Sequence, residues 1–135
     1  MTVLTEEMER LKDFHTHLGP YVVIGYRMGL IAKEKIGKPR RCEVYCGKKP
    51  PISCLIDGIQ FSSGCTMGKG NIIIAGEGES RARFYKTDNE FLEIKLIPDL
   101  KRRIDKEMGI RDEEEASMEI ALMNPEQMFH ITRHP

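Results

Sequence analysis

Residues Arg81–Ile97, RARFYKTDNEFLEIKLI, decide the fold class. Arg81–Lys86 and Phe91–Ile97 each have strand character, and the polar Thr87-Asp88-Asn89 between them predicts a hairpin. Towards the N-terminus, the compact apolar run Asn71–Ala75 and the short stretch Arg41–Cys46 add two more strand candidates. Outside this region the pattern becomes helical. Thr5 to about Phe14 reads as a helix capped by Thr5. A second helix is predicted from Pro20 to Ile36, with Pro20 placed to open it and Gly37 to stop it. Its stripe is Tyr21, Ile24, Met28, Ile31 and Ala32, and Gly25 and Gly29 read as the close approach of a packed neighbour. A third helix is predicted over Ile52–Phe61, and two more over Pro98–Met108 and Asp112–Met123. Strands in the middle with helices before and after predict an α+β domain, not alternating βαβ units. Its central, mostly antiparallel sheet would pack against helices from the N-terminal, middle and C-terminal segments.

The 135 residues predict a single domain, 1–135, able to bury a core without disulfides. Lys+Arg and Asp+Glu both total 21, and Trp is absent, so neither a basic footprint nor a base-stacking platform for nucleic acid is indicated. No apolar run approaches the roughly 18 residues of a membrane span. The charged, amphipathic N-terminus is unlike a secretory signal, so the expected compartment is cytoplasmic. There, four cysteines read as thiols or ligands before disulfides.

Three segments could carry chemistry. In Asp13–Pro20, DFHTHLGP, His15 and His17 would face one side if the backbone is extended. They would then form half of a metal site or an acid/base pair, or else a capping or surface pair. In Pro50–Phe61, PPISCLIDGIQF, Ile52, Leu55, Ile56 and Ile59 share the core face. Cys54, Asp57 and Phe61 lie on a neighbouring face, with Gly58 leaving space beside Cys54. A cysteine near a helix N-terminus is expected to have a lowered pKa; the alternative is a buried structural thiol. In Ser62–Asn71, SSGCTMGKGN, a glycine-rich loop carries Cys65 and Lys69. The spacing Gly64-x3-Gly68-Lys69 is not that of a phosphate loop, yet the loop amides and Lys69 could hold an anion or cofactor group. Cys42 and Cys46 read as core or incidental, His130 and His134 as part of a polar tail, and Arg81 and Arg83 as a solvated face or the flank of a pocket.

Taken together, Phe14–Pro20 (FHTHLGP), Gly25–Arg27 (GYR), Ser53–Gln60 (SCLIDGIQ) and Gly64–Asn71 (GCTMGKGN) resemble the FmdE family, named after the E subunit of formylmethanofuran dehydrogenase. The resemblance covers most of residues 5–97. It implies an α+β core domain, commonly a homodimer. It also implies a metal-binding or active-site pocket to which His15, His17, Cys54, Asp57 and Cys65 correspond. The family's first block usually reads His-Gly-His-Leu-Cys-Pro; here Thr16 replaces the glycine and Gly19 stands in place of the cysteine. No cysteine follows Cys65, so the resemblance is to the core domain without the family's C-terminal zinc finger.

The resulting expectation is a transition-metal site with His15, His17, Cys54 and Cys65 as ligands. Zinc suits mixed imidazole and thiolate donors best, with nickel, iron or copper as alternatives. Asp57 would be a general base or an orienting partner, and Cys54 could join it in catalysis. Three functions fit. The first is a metal-dependent enzyme or accessory protein of one-carbon (methanogenesis-related) or molybdenum/tungsten-enzyme metabolism. The second is a non-catalytic subunit or metal carrier of a larger dehydrogenase complex. The third is a metal-free thiol enzyme.

Overall fold

The structure is a computed structural model and describes residues 2–135. The chain order is α1 (Glu6–His15), α2 (Pro20–Ile36), β1 (Arg41–Val44), a 3-10 turn (Ile52–Cys54), α3 (Leu55–Ser63), β2 (Ile72–Ile74), β3 (Arg81–Tyr85), β4 (Phe91–Leu96), α4 (Pro98–Glu107), α5 (Glu113–Leu122), α6 (Pro125–Met128) and β5 (Phe129–His134). The five strands form one sheet in the order β2-β1-β3-β4-β5. Only β1 and β2 run parallel, and the other three pairs are antiparallel. The fold is therefore α+β. Among the described residues, no helix is long and apolar enough to cross a membrane.

Alternation along the strands sets the layers. Cys42, Val44, Ala82, Phe84, Leu92, Ile94 and Leu96 are buried and join one continuous core with α2. The residues between them form a polar face that pairs with itself. Arg81 and Arg83 both donate to Glu93 Oε1, and Tyr45 and Tyr85 donate to Glu43 Oε1. The two arginines thus sit in a solvated, self-paired lattice.

Helix α2 is the central element. Of the residues from Pro20 to Ala32, only Arg27 and Leu30 escape full burial, so its apolar surface runs nearly all round, as befits a helix enclosed on several sides. Gly25 and Gly58 bring α2 and α3 into backbone contact. A Cβ on Gly58 would overlap the Val22 carbonyl oxygen, and one on Gly25 would overlap that of Leu55. The glycine of α3 thus serves the helix crossing and does not clear space for Cys54, the role its sequence position suggests. Arg27 reaches from α2 to the far end of α5, where its guanidinium donates to the Ile120 and Ala121 carbonyls at 2.9 and 3.0 Å. These are carbonyls that a helix end leaves without intrahelical partners.

Two segments differ from the sequence expectation. The predicted third helix opens as a 3-10 turn, so Cys54 becomes the residue that precedes α3. The tail containing His130 and His134 is strand β5, paired antiparallel with β4 so that Ile94 faces Ile131 and Leu96 faces Phe129. Its polar residues lie on an edge, where only part of the strand needs burial; this weakens the apolar signal.

Replacing Gly58 by alanine is expected to destabilise the fold by roughly 3 kcal/mol, because a rigid backbone contact must open. Gly68→Ala, at a site with free space, should change stability by less than about 0.5 kcal/mol. Paired urea melts check this, and equal stabilities for the two variants would contradict the packing described.

Candidate metal centre

Four elements converge beside the N-terminus of α2. Helix α1 ends at His15, where Thr16 takes a left-handed conformation (φ 81°) and its amide closes on the Lys12 carbonyl. That conformation is uncommon for a β-branched residue. It reverses the chain at once, so the His15 and His17 rings stand side by side with centroids 4.7 Å apart. The two imidazoles are therefore brought together by a left-handed helix cap. The extended backbone expected from the sequence is not used. Gly19 is extended (φ −137°, ψ 164°) and leads into Pro20 at the start of α2. Cys54 comes from the 3-10 turn, Asp57 from the first turn of α3, and Glu113 from the first residue of α5.

Each imidazole is held by a carboxylate. His15 Nδ1 lies 2.6 Å from Asp57 Oδ2, and His17 Nδ1 lies 3.1 Å from Glu113 Oε1. An ionised carboxylate only accepts, so both Nδ1 atoms carry the donated hydrogen, and in the neutral rings both Nε2 atoms present a lone pair. The two pairs differ in exposure. The His15 side chain is 10% exposed, and its Nε2 is buried with no hydrogen-bond partner. The His17 side chain is 54% exposed. Asp57 is itself steadied by Gln60 Nε2 at 3.4 Å.

His15, His17, Gly19, Pro20, Cys54, Met108 and Glu113 line one cavity of about 50 Å³. That volume accommodates an ion or a few waters and no sizeable organic molecule. Cys54 is partly buried and free of any disulfide. Burial, with the charges of Asp57 and Glu113, raises its thiol pKa. This overturns the lowering expected from a helix N-terminus: two nearby carboxylates and desolvation outweigh the helix dipole.

The other expected site residues lie elsewhere. Cys65 does not line this cavity. It is fully buried in the core, its Sγ 3.9 Å from the Pro39 carbonyl and its sulfur near enough to Cys42 to raise that thiol's pKa. Lys69 Nζ donates to the Gly64 carbonyl at 2.9 Å, bracing its own loop. Among the described residues, no three His, Cys, Asp or Glu side chains already stand closed around a metal position.

Sequence reasoning does not find Glu113. It belongs to the acidic run Asp112–Glu115, which resembles any helix N-terminus, and nothing in the run singles it out. Two contacts fix it in space. Lys12 pairs with Glu114 at 2.6 Å, joining α1 to α5, and Arg27 secures the other end of α5.

Three comparisons bear on this arrangement. The family described as "FmdE, Molybdenum formylmethanofuran dehydrogenase operon" matches residues 14–131. A probable S-adenosyl-L-methionine-binding protein of Archaeoglobus fulgidus is 35% identical over 82 residues, 57% of this chain and 22% of that protein. The chain thus spans about a fifth of that relative's length. The crystal structure of an FmdE-like protein of tungsten formylmethanofuran dehydrogenase from Syntrophus aciditrophicus shares the fold, with a TM-score of 0.69. The similarity covers 98% of this chain and 76% of that one, at 19% sequence identity.

Burial orders the four thiols. In folded protein treated with chelator, iodoacetamide should label Cys54 well before Cys42, Cys46 and Cys65, with a rate that climbs as pH rises because the raised pKa leaves little thiolate at neutrality. Mass mapping of labelled peptides checks this; Cys65 labelled as fast as Cys54 would contradict the placement.

Proposed function

The chain belongs to the FmdE family, and on that premise we propose that it is a transition-metal-binding protein whose metal is held beside the start of α2 by His15, His17 and Cys54. The observation that carries this reading is His15. Its Nδ1 is committed to Asp57, and its Nε2 is buried, unprotonated in the neutral ring and without a partner. A buried acceptor left unmatched is unfavourable by roughly 1–3 kcal/mol. A metal ion answers that lone pair. Carboxylate–imidazole pairing is also the usual way in which a ligating histidine is oriented and made more basic.

The donor set of two imidazoles and a thiol fits zinc best, with nickel and iron as alternatives. A bound zinc ion would supply Lewis-acid chemistry, polarising a carbonyl oxygen or a water. The chain's own residues do the rest. Asp57 positions His15 and fixes its tautomer. Glu113 does the same for His17. Pro20 and Met108 close the cavity wall and exclude bulk water. Cys54, once deprotonated, adds a negative charge to a site that already contains two carboxylates, so a divalent cation is favoured electrostatically. In this reading Asp57 is a positioning residue, since its free oxygen faces Gln60.

The family connects the domain to one-carbon metabolism and to molybdenum or tungsten formylmethanofuran dehydrogenases. We assign it a metal-dependent role in that setting. Four free thiols support a reducing compartment, the cytoplasm.

Protein purified under reducing conditions without chelator is expected to contain about one equivalent of zinc or a similar metal per chain. His15→Ala and Cys54→Ser should each abolish that stoichiometry while retaining the parent's circular dichroism. Asp57→Asn should weaken affinity roughly 10- to 100-fold without changing the ligands. Elemental analysis with chelator competition checks all three. Parent protein empty of metal after incubation with zinc, nickel and iron in turn would sink the assignment.

A further inference from the structure

We infer that Glu113 is itself a ligand in this site, contributed by α5 into the space that Gly19 leaves open. The inference rests on the metal-site reading above and names the donor that completes it.

His15, His17 and Cys54 supply three donors, one fewer than a four-coordinate ion takes. The remaining side of the cavity is bounded by Gly19 and Glu113. The two Glu113 oxygens are differently engaged. Oε1 accepts from His17 Nδ1 at 3.1 Å, while Oε2 makes no hydrogen bond and points towards Gly19. A Cβ built on Gly19 would meet Oε2 at 3.6 Å, the Glu113 carboxyl carbon at 3.7 Å and His17 Cε1 at 3.8 Å. These are ordinary van der Waals separations. The volume beside Gly19 is therefore open to a side chain, and the nearest group facing it is a free carboxylate oxygen.

The pairing of Oε1 with His17 keeps the carboxylate orientation fixed while Oε2 stays available. Glu113 also forms part of the wall between this cavity and a neighbouring one of about 40 Å³ lined by Arg103, Arg111 and Glu119. Its backbone is not free to drift. The Glu113 carbonyl accepts from Ser117 Oγ at 2.7 Å, and α5 is tied at its two ends by Lys12 and Arg27. The second observation, independent of Glu113, is His15 Nε2, buried and unpartnered on a residue that lines the same cavity. The resulting set, two imidazole nitrogens, one thiolate and one carboxylate oxygen, carries two negative charges and neutralises a divalent ion. An oxygen in place of a further sulfur makes the site harder, favouring zinc, nickel or iron over copper(I).

The geometry also states which substitution should replace Glu113. Gly19 has an extended backbone that any residue adopts, so a cysteine there places its sulfur in the same volume. The test compares the parent, Glu113→Gln, Glu114→Gln and the double variant Gly19→Cys/Glu113→Ala. Zinc affinity is read by chelator competition, and the ligand set by the absorption of the cobalt-substituted proteins. Glu113→Gln retains an acceptor for His17 but loses the anionic ligand, so zinc affinity should drop roughly 100-fold or more, beyond the effect of an orienting residue. Glu114→Gln should behave as the parent. The double variant should recover to within about 10-fold of the parent, with the thiolate-to-cobalt absorption rising about twofold as one sulfur donor becomes two.

A parent that binds zinc together with a Glu113→Gln variant within threefold of it, roughly, would overturn the inference and leave the site reading intact. A correctly folded double variant with no recovered affinity and no second thiolate band would overturn it as well. A parent that binds neither zinc nor cobalt would overturn both.

Discussion

The backbone contact between α2 and α3 governs the geometry of the whole molecule. Gly25 and Gly58 remove the side chains that would hold the two helices apart, and each helix meets the other's carbonyl oxygens directly. Side chains separate packed helices by roughly 8–10 Å in general, and a glycine pair lowers that distance. The consequence is felt at the helix ends. With α3 seated on α2, the turn that carries Cys54 and the first turn that carries Asp57 lie alongside the start of α2, where the chain arrives from His15 and His17. A wider crossing would separate His15 from Asp57, whose 2.6 Å hydrogen bond leaves no slack.

Around that contact the site is arranged by carboxylates. Two histidines on one short segment are both held through Nδ1, one by α3 and one by α5. Because both partners are acceptors, both rings are driven to the same tautomer and offer the same nitrogen. The strained Thr16 cap contributes the other half of the alignment by bringing the rings into register. Backbone strain of this kind tends to persist where surrounding structure over-determines it. Here the capped end of α1, the Lys12–Glu114 pair and the Asp57 hydrogen bond all constrain the same few residues.

Much of the fold is legible in the sequence because its signals are local. Pro20 and Gly37 bound α2 as their chemistry predicts, and the β3–β4 hairpin turns at the polar residues. Gly25 is readable as a close approach, while the role of Gly58 depends on a partner helix that no local pattern reveals. Strand β5 is hidden because an edge strand with polar alternate residues resembles a tail. At the site, His15, His17, Cys54 and Asp57 are recoverable from spacing and from resemblance to a family. Cys65 is not separable from them by sequence, since a loop thiol and a core thiol are written with the same letter; only burial distinguishes them. Glu113 has no signal at all. Its significance comes from a contact with His17 across 96 positions, and its neighbours Glu114 and Glu115 have identical composition and charge.

That separation has a bearing on synthesis. The histidines emerge first, the cysteine and Asp57 some 40 residues later, and Glu113 only when most of the chain exists. A nascent chain therefore exposes single imidazoles and thiols that could bind metal weakly and indiscriminately, but it lacks the arrangement that would retain an ion. The left-handed cap at Thr16 and the two carboxylate partners come into force only after α3 and α5 have docked on α2. Metal retention is in this way deferred to the finished domain, and the order of residues along the chain acts as a safeguard against capture of the wrong ion by an incomplete fold.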